Sequence, residues 1–141
     1  MKSVVAASAT ALVAVLGAAP VAADSGAAAS GPTPPPPYVD HTQWAAYGTG
    51  TSLRVYPTSA GRLASRQTGT TGADEAWVEV LALSPEANTP GMRAQFDCHW
   101  QLAEIAEPGK TSWNLEPWRP VVDDAEMLAS ACNPGGPEEP F

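Results

Sequence analysis

The chain has 141 residues, with fifteen Asp and Glu against seven Lys and Arg, and it contains no run of basic residues. This acidic balance argues against nucleic acid and other polyanions as partners on electrostatic grounds. Once the N-terminal segments are set aside, one small domain remains. A domain of that size buries only roughly 60 % of its unfolded surface and often needs a covalent link to be stable.

The N-terminus has the layout of a secretory signal peptide over residues 1–23. Lys2 is followed by an apolar stretch from Val4 to Leu16 and then by small residues, which predicts cleavage after Ala23. A membrane anchor is the alternative, but the apolar run is shorter than the roughly 20 residues that span a bilayer. We therefore expect a secreted chain, extracellular or associated with the cell envelope, that does not insert into a membrane after cleavage.

A segment rich in alanine, glycine and proline follows over residues 24–39. Its small residues and four consecutive prolines cannot bury apolar surface, which predicts a disordered spacer of extended polyproline character. A proline run can also be a ligand for another domain. The single globular domain is then expected over residues 40–134, followed by a flexible acidic tail over residues 135–141.

The first elements of the domain carry local signals of unequal strength. Residues 40–48 predict a short helix that Asp40 caps. Residues 51–58 alternate, with Leu53 and Val55 on one face, and predict a strand.

For the next two segments, the prediction depends on composition more than on the spacing of apolar residues. Residues 59–74 hold glycine and threonine without a clear period and predict a surface loop, in which Arg62 and Arg66 are solvated. Residues 76–84 are apolar on both faces apart from Glu79, which predicts a central strand.

The clearest alternation of the chain runs from Met92 to Leu102. Apolar residues, including Cys98, take every second position, and polar residues, including Asp97 and His99, take the others. The pattern predicts a strand, whose successive side chains point to opposite faces. Cys98 and His99 are then too far apart to form a catalytic pair or to bind one metal ion.

A C-terminal helix is predicted over residues 123–131. Asp123 is its cap, Glu126 follows three residues later, and Cys132 lies on the apolar stripe. With Cys98 on the buried face of the sheet, a disulfide that ties this helix to the sheet is the simplest consequence. Two free thiols or an intermolecular bridge are the alternatives.

Two groups of residues are candidates for function. Asp97 and His99 share the polar face of the predicted strand, where a metal or acid–base site with His41 is one interpretation and a solvated surface the other. We name the second group, residues 110–122, the strap.

The strap is irregular because its two prolines exclude a helix through its middle. It holds Trp113, Glu116, Trp118 and Arg119, residue types that are frequent in binding sites. The candidate interpretation is a surface that recognises a protein or carbohydrate ligand. The alternative is that both tryptophans fill the core and that Arg119 pairs with a carboxylate.

Five stretches of the chain together resemble a known family. They are SLRVYPT, AWVEV, TPGMRAQFDCHW, SWNLEPWRP and CNPGG, in this order. They are similar to a family of small secreted actinobacterial proteins that is classed as a domain of unknown function, and the likeness covers nearly all of residues 44–136. The resemblance implies an exported single-domain protein with Cys98 and Cys132 as its fixed pair. It implies no activity.

The sequence thus predicts an α+β fold. We expect a small antiparallel sheet of three or four strands, with the C-terminal helix packed on one face and tied by one disulfide. The preferred function is a secreted, non-enzymatic binding module without a metal or other cofactor. A small extracellular hydrolase or metal-binding protein that uses Asp97 and His99, and a secreted inhibitor or toxin-like protein, are the alternatives.

Overall fold

The computed structural model describes residues 31–67 and 71–140, so the predicted signal peptide and the first part of the predicted spacer lie outside the described residues. The elements in chain order are β1 (Val39–Tyr47), β2 (Gly50–Pro57), α1 (Ser59–Ser65), α2 (Thr71–Leu83), a short 3-10 helix (Pro85–Ala87), α3 (Pro90–Ala106), β3 (Trp113–Leu115) and α4 (Asp124–Ala129). The strands form one antiparallel sheet in the order β1-β2-β3. The predicted α+β class is confirmed. Among the described residues, no helix is long and apolar enough to cross a membrane.

A hairpin of β1 and β2 opens the domain, so the helix predicted over residues 40–48 is wrong. Tyr47 pairs with Gly50, and Gly48 stands between them with a φ of 58°. A two-residue turn that matches strand twist needs positive φ at this position, which glycine adopts without strain. A helix of two turns is marginal by itself, and pairing with β2 outweighs its weak local preference.

The strand predicted over residues 51–58 is confirmed as β2, the central strand of the sheet. Leu53 and Val55 are fully buried on its inner face. They pair with Leu115 and Trp113 of β3, which are fully buried as well.

Two predicted elements between β2 and α3 are wrong. The predicted loop over residues 59–74 contains α1, whose first turn is capped by the Thr58 hydroxyl as it accepts from the Gly61 amide at 2.9 Å. The predicted strand over residues 76–84 is helical as far as Leu83, where α2 ends. Its apolar residues are spread around the helix, and Val78 is exposed, so the period was not visible in the sequence.

The arginines of the predicted loop are paired instead of freely solvated. Arg62 donates to one oxygen of the buried Glu104 at 2.5 Å, and Arg66 donates to the other at 2.9 Å. Burial is the largest single effect on the pKa of Glu104 and raises it. The hydrogen bonds act in the opposite direction, and the pKa lies below its ordinary value as a result. The cluster joins α1 to the C-terminal half of α3.

Residues 92–102 lie in α3, so the strand predicted there is wrong. The Thr89 hydroxyl caps the helix by accepting from the Met92 amide at 3.2 Å, and Pro90 occupies the first turn, where its missing N–H costs nothing. One side of the helix packs in the main core through Phe96 and Trp100. The other side packs against α4 through Cys98.

Side chains of α3 also seal the free edge of β3. The Gln95 amide accepts from the Glu116 backbone N–H at 2.9 Å and donates to the Glu116 carbonyl at 3.0 Å. His99 Nε2 lies 3.0 Å from the carbonyl of Asn114 and donates to it. An unpaired strand edge exposes backbone N–H and carbonyl groups. Side chains of α3 bind these groups, as the backbone of a fourth strand would do.

The predicted disulfide between Cys98 and Cys132 is confirmed. It joins α3 to the turn after α4, and therefore ties two helices together instead of a helix to a strand. The chain-entropy estimate for a loop of this length is roughly 3–4 kcal/mol. The predicted cap is present, since Asp123 accepts from the Glu126 amide at 2.9 Å.

Aromatic rings fill the centre of the domain. Trp100 contacts Trp113 edge to face, with ring centroids 5.9 Å apart, and Phe96 lies 6.2 Å from each of them. Tyr38 and Trp77 extend the cluster towards the N-terminal segment and α2. Such rings bury a large apolar area per residue, which suits a small core.

Candidate functional site

The structure separates the residues considered for a hydrolase or metal site. Asp97 and His99 lie on different sides of α3. Side chains two residues apart share a face in a strand but not in a helix, so the predicted shared face does not form. Asp97 accepts two hydrogen bonds from Arg93, at 2.8 and 3.0 Å. His41 is exposed on β1, where it stacks on Tyr56 with ring centroids 4.1 Å apart. In the described part of the chain, no group of three His, Cys, Asp or Glu could hold a metal ion.

His99 is an interior residue and not part of a solvated face. Only 4 % of it is exposed. Burial, and after it the positive charge of Lys110, lowers the pKa of His99 from 6.5 to about 4. The imidazole is therefore neutral at pH 7, and its Nε2 proton is held by the Asn114 carbonyl.

The strap divides into a buried half and an exposed half. Trp113 is fully buried in the core, whereas Trp118 is 42 % exposed. Next to Trp118, Arg119 Nε donates to the buried Glu116 carboxylate at 2.6 Å. Ser52 of β2 donates to the other Glu116 oxygen at 3.0 Å. The interpretation as core therefore describes the half with Trp113, and the interpretation as a recognition surface concerns the half with Trp118.

Arg119 holds the exposed half in place. Its guanidinium lies 4.6 Å from the centroid of the Trp118 ring and supports one face of it. The remaining N–H groups donate to the carbonyls of Pro134 at 3.3 Å, Gly136 at 2.9 Å and Pro137 at 2.8 Å. One buried side chain therefore positions both Trp118 and the start of the tail.

The tail, for which the sequence predicts flexibility over residues 135–141, lies against the outer face of the sheet over residues 136–139. Glu139 is buried and accepts hydrogen bonds from Arg54 and from the Asn114 amide, the latter at 2.9 Å. Glu138 forms an ion pair with Lys110. These carboxylates bind specific partners and do not form a general acidic surface.

A cleft of about 320 Å³ opens between the β1–β2 turn, Trp118 and the tail. Tyr47 and Trp118 form its aromatic walls, with ring centroids 6.1 Å apart. The Tyr47 hydroxyl donates to the Pro137 carbonyl at 3.0 Å, which ties the hairpin to the tail. Among the residues that the structure describes, no ionisable group other than the Tyr47 phenol lines the cleft.

Glycine at position 50 is what lets Trp118 lie so close to the hairpin. A Cβ atom there would stand 2.5 Å from Cδ1 of the Trp118 ring. Sequence reasoning found Trp118 but missed Tyr47, Gly50 and Pro137, because it assigned Tyr47 to a helix and Pro137 to a free tail. The glycines of YGTG were the available signal, since Gly48 allows the tight turn and Gly50 leaves room beside a large ring.

The comparison with protein families gives one match. The model of a family described as "Protein of unknown function (DUF2599)" covers residues 39–135. The chain belongs to this family. The match includes both aromatic walls of the cleft, Tyr47 and Trp118, and the resemblance that the five stretches predicted is confirmed.

Relatives of this DUF2599 protein come from mycobacteria. Uncharacterized proteins of Mycobacterium bovis and Mycobacterium tuberculosis are each 64 % identical to it over 148 residues, which cover 100 % of both chains. An uncharacterized protein of Mycobacterium leprae is 52 % identical over 99 residues, which cover 70 % of this chain and 80 % of the relative. No solved structure matches the chain.

Proposed function

We propose that this DUF2599 protein is a secreted, non-enzymatic binding module that holds a protein or carbohydrate ligand in the cleft between Tyr47 and Trp118. The observation that carries the proposal is that Trp118 is 42 % exposed and yet fixed in position. Arg119 supports one face of the ring, and Gly50 lies against its edge. A large ring that is already ordered loses little conformational freedom when a ligand covers it.

The chemistry of the cleft favours the neutral, apolar parts of a ligand. Aromatic rings stack on proline or sugar rings, and Trp and Tyr are typical of the residues that dominate binding energy. Among the described residues of the lining, the polar side-chain groups are the hydroxyls of Tyr47 and Thr49 and the indole N–H of Trp118. Polar contacts would come mainly from the backbone of the glycine turns.

The position of the cleft suits a domain that is held by its N-terminal spacer. The spacer enters the domain at Tyr38 and Val39, whose amides both donate to Glu79, at 2.8 and 2.7 Å. The cleft lies at the other end of β1, about 26 Å away at the usual rise of a strand. The spacer therefore enters the domain at one end of β1 and leaves the cleft at the other end open.

The alternative functions receive less support from the geometry. A hydrolase or metal site would need Asp97 and His99 to share a cavity, and each has a separate partner. An inhibitor that inserts the strap into a target would need the strap to protrude. Its residues from Ser112 to Glu116 are buried.

The test is a capture experiment with the mature chain immobilised and exposed to culture supernatant and envelope fractions. Trp118→Ala should lose a partner that the unchanged protein retains. Trp44→Ala is the matched control, because Trp44 is 38 % exposed but does not line the cleft. Circular dichroism establishes that both variants are folded. An identical set of partners for Trp118→Ala and the unchanged protein would refute the proposal, as would the same loss with Trp44→Ala.

A further inference from the structure

A second cavity, independent of the Tyr47–Trp118 cleft, lies between α3, the turn after α4 and the tail. Its volume is about 190 Å³. Leu102, Ala103, Ala106 and Leu128 give it apolar walls, and His99 lies in its lining. The cavity therefore combines hydrocarbon side chains with one buried imidazole.

The imidazole has one nitrogen without a protein partner. Nε2 donates to the Asn114 carbonyl, so Nδ1 carries the lone pair and can only accept. In the described part of the chain, the side-chain N and O atoms that are sealed from solvent and lack a partner are Trp100 Nε1, Trp113 Nε1 and Asn133 Oδ1. Among the described residues none hydrogen-bonds His99 Nδ1, and this atom is not among the sealed ones, so we infer that it faces the cavity that the residue lines.

We propose that this cavity binds a small apolar molecule that carries a hydroxyl group, with the hydroxyl donating to His99 Nδ1. An apolar protein cavity of about 150 Å³ is known to hold benzene, so the present volume suits one ring or a short alkyl chain with a polar end. A ligand hydroxyl would give the Nδ1 lone pair a fixed donor, while the apolar part of the ligand leaves water for the walls of the cavity.

The charges around the cavity favour a neutral ligand. Lys110 lies at the rim, where it pairs with Glu107 and Glu138. Because the ammonium and the carboxylates are already paired with one another, none of them is left free to bind an ionic ligand. An anion would meet the Nδ1 lone pair and the two rim carboxylates. A hydroxyl donates without adding charge.

The test is a titration of the mature chain with phenol, followed through the imidazole ¹⁵N resonances of His99 by nuclear magnetic resonance. We expect a saturable shift of the Nδ1 resonance. Toluene, which has nearly the same shape and no donor, should bind at least about fivefold more weakly, as expected for the loss of one hydrogen bond. If phenol leaves the resonance unchanged, water alone satisfies the nitrogen and the proposal is wrong. Equal affinity for toluene would also refute it.

A variant locates the binding. Ala106→Trp places an indole at the cavity wall from an exposed helix position and should abolish the shift without unfolding the domain. Ala82→Trp, at an exposed position of α2, is the matched control and should bind phenol as the unchanged protein does. Unchanged phenol binding by Ala106→Trp would place the site elsewhere and overturn the assignment.

Discussion

The two faces of the sheet are both covered, but by opposite chemistry. The inner face presents the fully buried, apolar Leu53, Val55, Trp113 and Leu115 to helices α2 and α3. The outer face presents the polar Ser52, Arg54, Asn114 and Glu116, which pair with one another, with Arg119 and with Glu139 of the tail. Adjacent residues of the same strands thus belong to two different interiors.

The difference shows that stability and the cleft depend on separate sets of interactions. The inner face is stabilised by removal of apolar area from water. The outer face is stable only if each buried polar group has a partner, since an unpaired one costs free energy. Arg119, which completes the outer network, also positions Trp118. The proposed binding site therefore belongs to the polar interior.

The largest effect is expected on the inner face. Trp113→Ala removes a fully buried ring from the centre of the aromatic cluster and leaves a cavity that neighbours cannot fill. We expect a loss of about 4–5 kcal/mol in the free energy of unfolding, measured by urea denaturation. Val78→Ala, at an exposed position of α2, is the control and should change little. A loss of less than about 1 kcal/mol for Trp113→Ala would contradict its central place in the core.

On the outer face, removal of the Arg119 charge should lower the free energy of unfolding nearly as much as Trp113→Ala does. Arg119→Met leaves the buried Glu116 carboxylate without its cation, for an expected loss of about 3–4 kcal/mol in the free energy of unfolding. The tail also loses three hydrogen bonds to its carbonyls.

The double variant Glu116→Met with Arg119→Met distinguishes a paired charge from simple packing. It removes both charges, so it should be less destabilised than Arg119→Met alone. If the double variant loses the sum of the two single effects, the outer face does not work as a coupled network.

The sequence was informative where the local pattern and the final environment agree. β2 alternates because one of its faces meets the core, and Asp123 and Glu126 carry the signal of a helix start. Cys98 and Cys132 were the available pair in a chain that is expected to be secreted. The strand and the helix start needed no distant residue, whereas the cysteine pair, 34 residues apart, was predictable because the chain has two cysteines.

Helix α3 was misread because it is buried on more than one side. Phe96 and Trp100 face the main core while Cys98 faces α4, so apolar residues fall on every second position as well as at helical spacing. Gln95 and His99 looked like surface residues, but they are buried as partners of the β3 backbone. Only the position of β3, distant in sequence, explains them.

The candidate site was predicted in part. Trp118 and Arg119 were among the residues chosen, and their neighbour Trp113 proved to be core. Nothing local distinguishes the two tryptophans, because exposure depends on which face of the sheet each side chain meets. Tyr47 and Pro137 approach each other only after the hairpin and the tail have folded.

His99 belongs to neither face, and acid should test its role at the edge of β3. Its pKa in the folded state is about 4 and its ordinary value is 6.5. The folded state therefore favours the neutral imidazole, so this contribution is complete above pH 6.5 and is lost as the pH falls through 4. The loss is on the order of 3 kcal/mol.

Denaturation at a series of pH values, compared between the unchanged protein and His99→Gln, isolates this contribution. Glutamine can still donate to the Asn114 carbonyl but does not titrate, so its stability should fall less steeply between pH 6.5 and 4. Parallel curves for the two proteins would exclude His99 as a source of the acid sensitivity.

The smallest expected effect gives the most direct test of the separation between the two faces. The measurement is the free energy of unfolding of Trp118→Ala in urea. We predict a value within about 1 kcal/mol of the unchanged protein, because Trp118 covers a cleft and does not fill the core. A loss of 3 kcal/mol or more, comparable to that of a core tryptophan, would show that the ring is structural and would contradict the account.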